Sequence, residues 1–175
     1  GTAVAWGRLQ MRATSALPGH MKRFVLLLLL AANPAEARDS LGVFERWGAF
    51  RDAAGPRCYA IAQPVSRARG FATIAHWPRQ RIRGQVHFRL SRARAPGAAV
   101  SLNVGDRRFR LVAGATDAWA PDARADAAIV AAIRSGTSMS VQTIDRAGRA
   151  FADSYALRGA ATAIDAAALG CARAG

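Results

Sequence analysis

From Val86 onward, large apolar residues fall on every second position: Val86, Phe88 and Leu90 alternate with His87, Arg89 and Ser91. A period of two sends one set of side chains to a buried face and the other to a solvated face, the signature of a strand and not of a helix. The same beat recurs at Val100, Leu102 and Val104 and, after the turn pair Gly105-Asp106, at Phe109, Leu111 and Ala113. These two runs are expected to form an antiparallel hairpin. Met139, Val141 and Thr143 open another, with Asp145-Arg146-Ala147-Gly148 as its turn and Phe151, Ser154-Tyr155 and Leu157 on the return. Upstream, residues 44–51, 57–63, 71–77 and 85–91 read as strands separated by Gly- and Pro-containing turns, and a short extended piece surrounds Trp119.

The period changes twice. Over 122–134 alanine is abundant, Ile129, Val130 and Ile133 share one side, and Gly136 follows, which predicts an amphipathic helix. Residues 160–169 predict a second, alanine-rich helix leading to Gly170-Cys171. The expected fold is mainly β, an antiparallel β-sandwich of about eight short strands with one amphipathic helix and a short C-terminal helix. A barrel is the other solution that such strands allow.

The segment before this domain has a different character. Met21 is followed by Lys22-Arg23, then by an unbroken apolar run over 24–32, then by Ala35-Glu36-Ala37. A positive start, a short apolar stretch and small residues at the cleavage positions make up a secretory signal peptide. The run is far shorter than the roughly 20 residues a bilayer-spanning helix needs. Residues 1–20 are read as an upstream extension outside the fold, 21–37 as the signal peptide with cleavage after Ala37, and 38–175 as a single domain. A periplasmic or secreted location is expected, with no transmembrane segment after cleavage.

Charge sharpens that expectation. The chain carries a formal +14, and beyond Arg23 every basic side chain is arginine or histidine, never lysine. No acidic residue occurs between Asp52 and Asp106, a stretch that holds Arg57, Arg67, Arg69, Arg79, Arg81, Arg83, Arg89, Arg92 and Arg94. Guanidinium groups pair with phosphate and carboxylate through a planar fork of donors. Outside the cytoplasm the abundant anions are lipid headgroups and lipopolysaccharide phosphates, which makes nucleic acid an unsuitable partner. Trp77, next to Pro78 and this basic run, suits an interfacial contact. The candidate contact residues are therefore Arg67, Arg69, Trp77, Arg79, Arg81, Arg83, Arg89, Arg92 and Arg94.

Two cysteines, Cys58 and Cys171, are separated by more than a hundred residues. In an exported chain an internal bridge between them is expected, two separate thiols or an intermolecular bond being the alternatives. No catalytic, metal or cofactor site is expected. Gly136-Thr137-Ser138-Met139-Ser140 looks like the surroundings of the nucleophilic serine in subtilisin-type proteases, but the next residues keep a strand period, and His76 and the carboxylates lack that family's motifs. His76 and His87 could meet across paired strands, yet two imidazoles without a nearby carboxylate rarely hold zinc.

Trp47, the run Arg57-Cys58-Tyr59-Ala60-Ile61, the helix Ala127–Ile133 running through Gly136 into Met139-Ser140-Val141, then Gly148, Tyr155-Ala156-Leu157-Arg158-Gly159, Ala163 and Cys171 occur in an order that resembles the invasion-associated locus B family. These are exported alphaproteobacterial proteins. The resemblance implies a periplasmic or envelope-associated, disulfide-bonded β-sandwich with no catalytic residues to carry over, and a role in envelope integrity or host interaction. Family members generally carry more cysteines near the first tryptophan than the single Cys58 found here. The combined expectation is a non-enzymatic envelope protein that binds an anionic lipid, lipopolysaccharide or an envelope protein. A small-ligand-binding protein or a periplasmic enzyme is the alternative.

Overall fold

The computed structural model describes residues 38–52 and 55–172. The expected leader, its cleavage point and the upstream extension lie outside the described residues. Ten strands appear in chain order: β1 (Arg38–Phe44), β2 (Trp47–Asp52), β3 (Arg57–Ala62), β4 (Phe71–Trp77), β5 (Ile82–Arg89), β6 (Val100–Val104), β7 (Arg107–Ala113), β8 (Asp117–Trp119), β9 (Ser138–Ile144) and β10 (Ala150–Ala156). Two helices, α1 (Ala123–Ser135) and α2 (Ala160–Ala172), complete the domain. The mainly antiparallel β architecture with two helices is as the alternation dictates.

Two strands exceed the expected count. The run around Phe44 is two strands joined at Glu45-Arg46, and Glu45 adopts the left-handed backbone at φ 57° without the glycine that usually marks such a turn. The extended piece at Trp119 is β8, three residues paired to both β5 and β7. All ten strands form one sheet in the order β1-β2-β3-β4-β5-β8-β7-β6-β9-β10, curled into a half-barrel. The facing layers of the expected sandwich are thus two halves of one sheet. β7 hands over between them: Leu111 pairs with Val100 of β6, and Val112 and Ala113 pair with Trp119 and Ala118 of β8.

The concave face holds the core. Trp47, Ile74, Val86, Phe88, Leu102, Val141 and Tyr155 are all buried to within about 1 % of complete, and each large side chain so removed from water stabilises by roughly 1.5–3 kcal/mol. The two halves touch directly: the Trp47 indole donates to the Ala156 carbonyl at 2.9 Å, and the Phe88 and Tyr155 rings lie 6.1 Å apart. α1 starts at Asp122, whose carboxylate accepts from Ala125 N–H at 2.8 Å. Such a cap stabilises by about 1 kcal/mol. Ile129, Ala132 and Ile133 form the buried stripe of α1.

α2 buries Ala160, Ala163, Ile164, Ala167 and Cys171, a stripe of mainly small residues that lets the helix lie close on β1 to β4. It begins just after Gly159, at φ +87°, where a side chain would run into the Phe44 carbonyl. Its other end is fixed by the disulfide Cys58–Cys171, which closes a 113-residue separation. Both edge strands are blunted. β1 carries charge at Arg38 and Asp39 and an irregularity between Ser40 and Gly42, and β10 receives a hydrogen bond from Val65 N–H to Ser154 O at 2.8 Å.

Candidate anion-binding site

The β4–β5 pair has an arginine cluster at each end, and the two differ in what surrounds them. At the connection between the strands, Pro78–Gln80 forms one 3₁₀ turn and Arg81 follows at φ 57°, with its N–H donating to the Pro78 carbonyl at 3.1 Å. A left-handed arginine costs about 1–2 kcal/mol relative to glycine, which adopts this backbone without strain. Arg79 and Arg81 are exposed, and Arg83 follows on β5. Among the described residues none of the three has an ion pair.

Two hollows open here, where β4 and β5 meet the helices. One, of 590 Å³, has walls from Ile82, Leu169 and Cys171 with Arg81 and Arg83 beside them. The other, of 370 Å³, lies between Arg83, Gly84, Val130, Ala131, Arg134 and Ile164. His76 contributes to both. Its Nε2 is buried and has no hydrogen-bond partner among the described residues. Burial, followed by the charges of Arg83 and Arg134, pushes its pKa below the ordinary value, so the imidazole stays neutral near pH 7. Arg134 itself pairs with Asp165 at 2.6 Å, which raises its pKa.

At the far end of the pair the arginines are engaged. Arg89 reaches Asp117 at 2.8 Å, and Arg92 lies 3.6 Å from Asp145 and over the Phe151 ring. Arg94 donates to four carbonyls, those of Gly114 at 2.6 Å, Ala98 at 2.7 Å, Ala113 at 2.8 Å and Ala95 at 3.2 Å. That guanidinium clamps two loops together and has little left to offer a ligand. Arg69 lines a hollow with Arg89 and Arg92, and Arg67 lies in a separate one with Arg38 and Arg46. Trp77 belongs to neither cluster's surface in a simple way: its indole donates to Gln85 at 3.0 Å and the Arg57 guanidinium sits 5.1 Å from its ring.

The nine sequence candidates are therefore dispersed. Arg81 and Arg83 remain beside the open hollows with Arg79 next to them in the turn, and Arg134 joins across the fold. His76, unassigned by sequence reasoning, lies against the same space. The two histidines do not meet. His76 pairs with Cys58, whose side chain is in the core, whereas His87 pairs with Thr73 on the convex face. There His87 Nε2 lies 2.9 Å from Asp117, and its ring stacks 5.2 Å from Trp119. Burial raises the Asp117 carboxyl, but hydrogen bonds from His87, Thr116 and Arg89 outweigh it and hold the pKa below the usual carboxylate range. No group of three potential metal ligands occurs among the described residues, nor is any helix there long and apolar enough to cross a membrane. No protein-family model, curated protein or solved structure matches the chain.

Proposed function

We propose that this chain is an exported envelope protein that binds an anionic component of the envelope and carries out no catalysis. The observation that supports it most is the group Arg79, Arg81 and Arg83, which is without ion pairs among the described residues and lies at the β4–β5 connection. The strained backbone of Arg81 points the same way, because a turn selected for stability alone favours glycine at that position. The disulfide suits an oxidising compartment, and the apolar run before Ala35 suits export. Membership of the invasion-associated locus B family, with a part in envelope integrity or host contact, belongs to the same proposal. A binding role is favoured over an enzymatic one because His76, unlike His87, has no carboxylate to orient it among the described residues.

Sedimentation with vesicles of phosphatidylglycerol or with lipopolysaccharide tests this. Binding should fall steeply between low and physiological salt, and the triple substitution Arg79→Ser, Arg81→Ser and Arg83→Ser should abolish most of it. Binding that ignores salt, or none to either surface, refutes the proposal.

A further inference from the structure

The two hollows beside the β4–β5 connection share His76, Arg83 and Ala168, so they adjoin along one crevice that runs from the end of α2 to the side of α1. Their volumes, 590 and 370 Å³, fall in the range of small-molecule sites, about 300–1,000 Å³. The crevice has two chemistries. Its walls are apolar, with Ile82, Val130, Ile164 and Leu169, and Leu169 stands 58 % exposed at its side. Its charged groups are cations, Arg81, Arg83 and Arg134, of which only Arg134 has a carboxylate partner among the described residues, Asp165.

A free inorganic anion uses the guanidinium groups and leaves the apolar walls wet. A neutral hydrocarbon covers the walls and leaves the arginines unused. We propose that the crevice holds a single-chain amphiphile with an anionic head, its tail along Val130, Ile164 and Leu169 and its head on Arg83, flanked by Arg81 and Arg134. This rests on the anion-binding reading above and adds a tail to it. The helices supply the wall without crowding it: Ala127 and Ala131 of α1 and Ala168 of α2 line the space, each with only a methyl group. Gly84, at φ +72° where β5 bends, does the same on the strand side. The neutral imidazole of His76 adds no competing charge at the junction.

Calorimetric titration of the full chain with dodecyl phosphate below its micelle concentration tests the inference, with inorganic phosphate and dodecanol as separate probes. One-to-one binding of dodecyl phosphate is expected, with either control weaker by about a hundredfold or more, because each removes one of the two contacts. Arg83→Gln should weaken dodecyl phosphate at least about tenfold and leave dodecanol unchanged. Ala131→Phe, on an exposed helical position, should fill the crevice and abolish binding of the amphiphile while vesicle sedimentation persists. Circular dichroism of each variant checks that it folds, and Ala127→Phe replaces Ala131→Phe if the latter does not. Equal affinity for inorganic phosphate and dodecyl phosphate, or indifference to the filling substitution, overturns the tail site. If vesicles bind and dodecyl phosphate does not, the crevice inference fails and the surface reading stands. If dodecyl phosphate binds and vesicles do not, the surface reading fails and the crevice remains.

Discussion

The two ends of the β4–β5 pair use one residue type for opposite purposes. At one end Arg89, Arg92 and Arg94 are spent on the protein's own acceptors, a shared aspartate, a buried aspartate and four carbonyls. At the other, Arg79, Arg81 and Arg83 find no carboxylate among the described residues, and Arg81 and Arg83 border open space. A run of arginine without intervening acid is therefore not one functional surface. Arg89 and Arg92 are answered by Asp117 of β8 and by Asp145 just past β9, Arg94 is answered by backbone carbonyls, and only the unanswered arginines are available to a partner.

The largest expected effect concerns the wall of the open end. Replacing both Cys58 and Cys171 by alanine should cost about 4–5 kcal/mol on the loop-entropy model, read as a lower urea midpoint, and should weaken ligand binding at the crevice that Cys171 lines. Unchanged stability would mean that packing alone holds the end of α2. Next, Arg94→Ala should cost about 3 kcal/mol, because it leaves several carbonyls without their donor, and should leave vesicle binding intact. A loss of binding without a loss of stability would erase the distinction between the two ends.

Acid separates the ends by pH. The His76 pKa lies below the ordinary histidine value of 6.5, so the unfolded chain takes up a proton there before the fold does. Stability should fall as pH drops below 6.5 towards the folded pKa, and His76→Gln should flatten that limb. The Asp117 pKa lies below the ordinary aspartate value of 3.8, so its contribution is present above 3.8 and is lost as pH falls towards the depressed folded pKa. Asp117→Asn should lower stability at pH 7 and flatten only this acid limb. Urea titrations at closely spaced pH values check both, and a single limb shared by the two variants would show that the ends are coupled. The smallest expected effect is Arg81→Gly. Relief of the left-handed backbone should leave stability unchanged or raise it by less than about 1 kcal/mol, while vesicle binding falls.

Much of the sheet is legible because alternation is a strong signal wherever one face is buried. Val100 to Ala113 fold as the hairpin their spacing dictates, with Leu102 opposite Phe109. The helix over 122–134 is equally plain, and the structure adds Asp122 as its cap. What stays hidden is non-local. The pairings of β8 with both β5 and β7 turn two expected layers into one curled sheet, and β8 is only three residues long. The Glu45-Arg46 turn is invisible for a different reason, since its left-handed residue is a glutamate. The site follows the same rule. Arg79, Arg81 and Arg83 are visible as a cluster, and Arg134 and His76 are not, because α1 reaches β5 only in the fold. Arg94 looks like its neighbours in sequence until its four acceptors are seen.

A curled sheet that does not close must terminate twice, and here the terminations are unlike. β10 is tied back through Val65 to the loop after β3, whereas β1 borders solvent with an arginine, an aspartate and a broken register. A second copy laid along β1 has to desolvate those charges and match a step in the ladder. Growth of strand-to-strand polymers through this rim is thereby disfavoured.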